Sequence, residues 1–344
     1  MGFGILDPVA GGFLKVWVVG GAGYIGSHVC KALLKAGHEV VVFDNLSSGL
    51  LENLSSEVVF RQGDILNLVE VNAASTEFRF DGVIHLAALK AAGESMIDPE
   101  KYSRTNIVGS LNLLEAVLKA EIPSFVFSST AAVYGSPEYL PLDEKHPTRP
   151  ENYYGQTKLM IEQFLDWYGR LKGLRHVCLR YFNAAGYDPD GQISGLEQNP
   201  ANLLPVVMEA AMGWRPKVQI FGDDYSTRDG TGLRDYVHVS DLAVAHVSAL
   251  EHLKKGGGNL TLNLGTGSGI TVKEMVDKAV EVTGRNIPVE ITGRRAGDPA
   301  AVMASSELAQ AKLGWQARYS DLETLLRTTW KAYQANGPDR SPHR

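Results

Sequence analysis

The sequence predicts an α/β fold built on a doubly wound parallel sheet, with a second, smaller lobe. Three observations carry this expectation. Short β-rich runs alternate with helical segments through the first half of the chain, a glycine cluster separates the first run from the first helix, and the texture changes abruptly after Asn183. Strands alternating with helices of ordinary length imply parallel strands covered by helices on both faces.

The β-rich runs are KVWVV (15–19), EVVVFD (39–44), EVVFRQGD (57–64), DGVIHLAA (81–88), SFVFSST (124–130) and HVCLRYFN (176–183). Between them, GSLNLLEAVLKA (109–120) places Leu113, Ala116, Val117 and Ala120 at helical spacing, and residues 152–171 repeat that period. The stretch YDPDGQISGLEQNP, rich in Gly, Pro, Asp and Asn, reads as a long loop opening a second region. Beyond it come a helix near 201–213, the segment RDYVHVSDLAVAHVSALEHL, a glycine break at 256–258, and weaker signals to about residue 334. The expected division is a first domain over 14–183 with 234–266 folding back onto it, a lobe from 184–233 and 267–336, and extensions at 1–13 and 337–344. No internal repeat is evident.

The 344 residues are 44% hydrophobic and 21% charged, with a formal net charge of −6, the composition of a globular chain large enough for two cores. The negative balance and the lack of a Lys/Arg stripe exclude nucleic acid as a partner. No apolar run approaches the roughly 18 residues of a membrane span, so no membrane partner is expected. Cys30 and Cys178 show no metal-ligand or CxxC spacing, so no metal is expected and the pair reads as buried free thiols. Such thiols fit a reducing, cytoplasmic setting.

Gly20, Gly23 and Gly26 form G-x-x-G-x-x-G at the end of a strand and the mouth of a helix. Glycine there permits a tight turn, close approach of the backbone to a pyrophosphate, and close helix-to-strand packing, as in the Rossmann fold. The helix N-terminus offers N–H groups and a positive dipole end. Asp44 ends the next strand, 18 residues beyond Gly26, where a carboxylate can accept from both ribose hydroxyls. No Arg in DNLSSG offsets its charge against a 2′-phosphate, so the expected cofactor is NAD and not NADP.

Tyr154 and Lys158, in YYGQTK, stand at i, i+4 on one helical face. A tyrosine whose pKa is lowered by an adjacent ammonium and a nicotinamide cation can act as a base near neutral pH. A second such pair, Tyr168 with Lys172, lies about 21 Å further along the same helix, too far to serve the same site. Position selects Tyr154, which follows the strand ending in SSTAAVYG. There Ser128, Ser129 and Thr130 crown the carboxyl edge where ligands bind in open α/β sheets. Tyr168 and Lys172 read as a solvated helix end.

Taken in order, GGAGYIGSH, DNLSSG, GDI, HLAALKAAGES, SSTAAVYG, YYGQTK, RYFNAAG, GTGLRDYVHVSDLA and GRRAGDPA resemble the UDP-glucose 4-epimerases of the extended short-chain dehydrogenase/reductase family, over residues from about 15 to 316. The resemblance implies NAD held by Gly20, Gly23, Tyr24, Ile25, Gly26, Asp44, Asn45, Asp64, Ile65, Leu86, Ala87, Ala88, Lys90, Asn106, Ser128, Tyr154, Lys158 and Phe182. It implies a catalytic set of Thr130, Tyr154 and Lys158, with Thr where many relatives have Ser. A UDP-hexose substrate would meet Lys90, Thr130, Tyr154, Asn183, Asn202, Leu203, Gln219, Phe221, Arg234, Arg295, Asp298 and Val302. Two arginines suit a pyrophosphate through their planar donors.

The implied reaction interconverts UDP-glucose and UDP-galactose by transient oxidation at C4, with N-acetylated UDP-sugars as further candidates. Related enzymes also imply a homodimer, paired through helices at 100–120 and 152–171. Two other readings compete. NAD-dependent 4,6-dehydratases and decarboxylases of UDP- or dTDP-sugars carry acidic residues after the active-site threonine, whereas here Ala131 and Ala132 follow it, leaving elimination without a proton carrier. A non-catalytic NAD-sensing protein on the same fold would lack the tyrosine or the lysine, and both are present.

Overall fold

A computed structural model describes residues 12–197, 200, 202–295 and 297–337. Of the two expected extensions, residues 1–11 and 338–344 lie outside the described residues.

In β1 (Lys15–Val19), Val16 and Val18 face one apolar cluster while Trp17 and Val19 face another, and all four are fully buried. A strand apolar on both faces needs cover on both. The first half of the chain continues as α1 (Tyr24–Lys35), β2 (Glu39–Asp44), β3 (Val59–Gln62), α2 (Leu68–Glu77), β4 (Gly82–His85), α3 (Ala92–Ser95), α4 (Pro99–Tyr102), α5 (Gly109–Lys119), β5 (Ser124–Thr130), α6 (Tyr153–Lys172) and β6 (Arg175–Tyr181). The second half adds β7 (Asn183–Ala185), α7 (Leu203–Ala211), β8 (Val218–Phe221), β9 (Leu233–Arg234), β10 (Tyr236–His238), α8 (Val239–Lys254) and β11 (Leu260–Leu264). It closes with β12 (Ile270–Thr271), α9 (Val272–Thr283), β13 (Val289–Thr292), β14 (Ala301–Val302), α10 (Glu307–Leu313) and α11 (Leu322–Ala335).

Seven parallel strands form the main sheet in the order β11-β6-β5-β4-β1-β2-β3. Helices α1 and α8 cover one face through Val29, Leu33, Leu242 and Leu250. Helices α2, α5 and α6 cover the other through Val71, Leu113, Val117, Ile161 and Leu165. The strand order reverses between β1 and β4, which opens the crevice where such sheets bind ligands. A smaller body gathers α7, α9 and α11 around Leu204, Met208, Met275, Leu325 and Tyr333. Short sheets β8–β13, β7–β10 and β12–β9–β14 lie beside it.

The structure departs from the sequence pattern in four places. The runs at 57–64 and 81–88 pair only over Val59–Gln62 and Gly82–His85. Beyond those points Gly63 N–H donates to Asp44 O, and Leu86 N–H and Ala87 N–H both donate to Val19 O, so the chain leaves the ladder to form edge loops. The seventh strand is β11, a segment the sequence pattern leaves unassigned. Helix α5 is continuous with α4 through a π-helical turn, Ser103–Val108, that carries Asn106; such turns recur at functional sites. Tyr168 is half-buried against the α6 side of the core, and only Lys172 is exposed. Cys30 and Cys178 are buried free thiols.

Candidate active site

The glycine turn is set by close approach. A Cβ on Gly20, whose φ is +85°, would stand 2.4 Å from Ala87 N, and one on Gly26 would stand 2.2 Å from Gly20 O. Gly23 differs, since a Cβ there would meet nothing nearer than Gly20 O at 3.4 Å. Gly23 is the N-cap of α1 and no side chain caps the helix. Space and uncapped N–H groups together form a cradle that fits a pyrophosphate. Asp44 Oδ2 accepts from Ala22 N–H at 2.9 Å and Oδ1 from Leu46 N–H at 2.8 Å, which fixes the carboxyl at the carboxyl end of β2. Asn45 Nδ2 donates to Asp64 Oδ2 at 3.0 Å, joining the ends of β2 and β3. These residues fit NAD by the chemistry of the donor set.

Several expected cofactor residues act from inside the protein. Asn106 is fully buried; its Nδ2 donates to Leu89 O and Thr157 Oγ1, both at 3.0 Å, and its Oδ1 accepts from Leu89 N–H at 2.8 Å. It therefore holds the loop after β4, where Leu86, Ala87, Ala88 and Lys90 lie. Ile65 is buried among the α2 and α5 apolar side chains. The Tyr24 hydroxyl donates to Gly186 O, linking α1 to the segment after β7. Ile25 packs against the α1 side of the core, and Phe182 is buried just past β6.

Thr130 ends β5, and Tyr154 and Lys158 stand in the first two turns of α6. Asn152 caps that helix by accepting from Gly155 N–H at 2.8 Å. A Cβ on Gly155 would lie 2.5 Å from Ala132 O, so glycine lets the helix start press onto the turn after Thr130. The Lys158 ammonium donates to Ser128 O at 2.9 Å and sits 4.8 Å from the Phe127 ring centroid and 6.0 Å from that of Tyr154. Burial pushes the Lys158 amine down to about 7, against the pull of Glu162. Burial pushes the Tyr154 phenol up to about 12, with the Thr130 hydroxyl pulling the other way. The sequence expectation of a lowered phenol is thus not met in the protein alone, where burial of Tyr154 itself outweighs the Thr130 hydroxyl.

On the substrate side, Asn183 Nδ2 donates to Asp235 O at 2.9 Å in β7. Asn202 and Leu203 begin α7, and Arg295 stacks 3.6 Å over the Phe221 ring. Arg234 Nη2 donates to Asp298 Oδ1 at 2.9 Å. Val302 lies in β14 opposite Arg234, half-buried against the cluster that holds Phe182 and Ala304. Gln219 is exposed and donates to Glu290 at 3.0 Å. Lys90 forms an ion pair with Glu197 across the crevice.

The profile of the NAD dependent epimerase/dehydratase family matches residues 16–265. The chain belongs to this family. It is 47% identical over 317 residues to a UDP-glucose 4-epimerase of Halalkalibacterium halodurans, covering 92% of this chain and 95% of that one. The crystal structure of UDP-glucose 4-epimerase from Brucella ovis in complex with NAD superposes with a TM-score of 0.91 at 45% identity, over 93% of this chain and 98% of that one. That of the Bifidobacterium longum enzyme in complex with NAD+ and UDP gives 0.88 at 37% identity, over 94% and 99%.

Sequence reasoning missed three groups beside the site. Glu162 and Arg180 form a buried ion pair one helical turn beyond Lys158. His85 is buried with Nδ1 unpartnered, and burial with the nearby Lys158 charge pushes it down to about 3. Glu197, the partner of Lys90, lies in the long loop. Only Glu162 carried a signal, its i, i+4 spacing from Lys158.

Proposed function

We propose that the chain is an isomerase that interconverts UDP-glucose and UDP-galactose at C4. One observation carries the reading: Thr130, Tyr154 and Lys158 converge at the carboxyl edge of β5, on the same sheet edge as the uncapped glycine cradle after β1. NAD held by the cradle, Asp44 and Lys158 would supply the hydride acceptor at C4 and return the hydride. Tyr154, as the phenolate, takes the proton of the 4-hydroxyl and becomes the phenol. Lys158, anchored by Ser128 O, stabilises the phenolate before that transfer, and Thr130 donates a hydrogen bond to the reacting oxygen. The product of this half-reaction is a 4-keto sugar.

Arg234 and Arg295 hold the diphosphate while the sugar turns about it and re-presents C4 from its other face. Tight diphosphate contacts and loose sugar contacts are both required. Ala131 and Ala132 supply no acid or base for elimination, which favours epimerisation over 4,6-dehydration. Exposed Trp167 and Leu171 on α6 favour a homodimer through that helix. Among the described residues no helix is long and apolar enough to cross a membrane, and we place the enzyme in the cytoplasm on its free thiols. The test is incubation of purified protein with UDP-galactose and no added reductant, with sugar nucleotides resolved by NMR. UDP-glucose is the expected product, and a dehydrated or decarboxylated sugar would overturn the reading.

A further inference from the structure

Asp235 is fully buried in the turn between β9 and β10. Its Oδ1 accepts from Thr266 N–H at 2.8 Å and from the Thr266 hydroxyl at 2.6 Å. Its Oδ2 accepts from Gly267 N–H at 2.9 Å and Ala304 N–H at 3.1 Å. Four donors on two oxygens make it a clip that joins three chain segments far apart in sequence: the β9–β10 turn, the turn after β11, and the residues just past β14. Its backbone carbonyl does a parallel task, accepting both Asn183 N–H at 3.0 Å and Asn183 Nδ2–H at 2.9 Å.

The joined segments carry much of the substrate side. Arg234 precedes Asp235 in the chain and holds Asp298 at 2.9 Å. Val302, two residues before Ala304, pairs with Arg234 across β14 and β9. Asn183 hangs from the Asp235 carbonyl. A neutral or shortened side chain at 235 would leave buried N–H groups without acceptors, and each such loss is felt because water cannot replace it.

We propose that Asp235 is a positioning residue for the substrate: it holds Arg234, Asn183 and the β14 strand in the arrangement that grips the diphosphate, and it has no part in holding NAD. The inference rests on the UDP-hexose reading above. No expected cofactor residue, from the glycine turn to Lys158, touches the Asp235 carboxyl group, whereas the substrate segments depend on it directly or at one remove.

Asp235→Asn keeps the size of the side chain but turns one acceptor into a donor that faces N–H groups. The expected result is a Kd for UDP, measured by calorimetry on the NAD-bound protein, raised about tenfold or more. KM for UDP-galactose should rise with it, while kcat changes little and bound NAD per chain, released by acid and quantified, stays at the unmodified level. Thr266→Val removes one of the four donors and should raise the Kd in the same direction by less; it decides the matter should Asp235→Asn fail to fold. A Kd within twofold of the unmodified protein in both variants overturns the proposal, as does a fall in NAD content and melting temperature parallel to the loss of UDP affinity. An unmodified chain that binds UDP without turning over UDP-galactose would count against the epimerase reading alone, since the Kd comparison still decides Asp235.

Discussion

Glu162 and Arg180 meet in a two-point ion pair, Arg180 Nη2 to Glu162 Oε2 at 2.6 Å and Nε to Oε1 at 3.0 Å, both side chains under a tenth exposed. Ser129 donates to the same carboxylate, and Arg180 Nη1 donates to the Tyr134 hydroxyl at 3.0 Å, which in turn donates to Asn263 Oδ1 at 2.6 Å. The chain of bonds ties α6 to β5, β6 and β11. Removing one partner leaves the other charge buried, so Arg180→Met should lower unfolding free energy by about 3–5 kcal/mol in urea titrations. The double variant Glu162→Leu with Arg180→Met should recover most of that loss. A single variant as stable as the parent would show the pair to be idle.

Tyr154→Phe should lower kcat by about 10² to 10⁴-fold while leaving NAD content unchanged, since only the proton-accepting hydroxyl is lost. Tyr168→Phe, further along the helix, should retain nearly full activity. Steady-state kinetics on UDP-galactose separate the two, and the reverse ranking would move the site.

Asp44→Ala together with Asn45→Arg should shift cofactor preference toward NADP by removing a negative charge and adding a cation at the end of β2. Reconstitution of the stripped protein with each dinucleotide checks this. Equal affinity for NAD and NADP in the unmodified protein would exclude Asp44 as the discriminating group.

Acid should destabilise the fold through its histidines. Burial pushes His28 and His246 down to about 4, and His85 and His238 to about 3. Folded pKa values below the unfolded value of about 6.5 mean that the unfolded chain binds more protons in this window. The stability is full above pH 6.5 and is lost as pH falls through 6.5 toward 4. Urea midpoints at pH 7 and pH 5 should show the drop, and His246→Gln should make it shallower. A midpoint that rises on acidification would contradict the assignment.

Val302→Tyr should abolish turnover of UDP-N-acetylglucosamine while UDP-glucose turnover persists. Val302 packs half-buried against the cluster of Phe182 and Ala304, and under the proposed reading a tyrosine ring in its place would contest the space that an N-acetyl group needs in both sugar orientations, at an overpacking cost of about 1–3 kcal/mol. Comparison of both substrates in both proteins is the measurement, and an unmodified chain inert toward the N-acetylated sugar ends the proposal.

The sheet was legible because its signals are local. Trp17 and Val18 face opposite sides by alternation alone, and the glycine turn announces itself through its spacing, two of its three glycines, Gly20 and Gly26, tolerating no Cβ. The Tyr154–Lys158 pair was legible by spacing once position excluded its twin. The Lys158 desolvation was hidden, because it comes from Phe127 and the closing of α6 onto β5, contacts between segments some thirty residues apart. The Asp235 clip was hidden for the same reason, its donors lying at Thr266, Gly267 and Ala304. Strand β11 is not assigned by the sequence pattern although LTLNL alternates apolar and polar, because five residues between a glycine break and the next glycine turn are too short a pattern to specify which sheet they join, and the pairing with β6 identifies it.

That pairing has a consequence during synthesis. β6 ends at Tyr181, and its outer neighbour does not begin until Leu260. At about 5–20 residues per second, the nascent chain leaves the β6 edge, with its row of N–H and C=O groups, uncovered for on the order of ten seconds. The segments that intervene are α7 and β8 of the smaller body, the short strands β7, β9 and β10, and α8 of the main sheet, while the smaller body's helices α9 and α11 emerge later still. Nascent chains emerging close together on one messenger therefore expose matching edges at the same time, and shielding at the ribosome is expected to raise the yield of native protein.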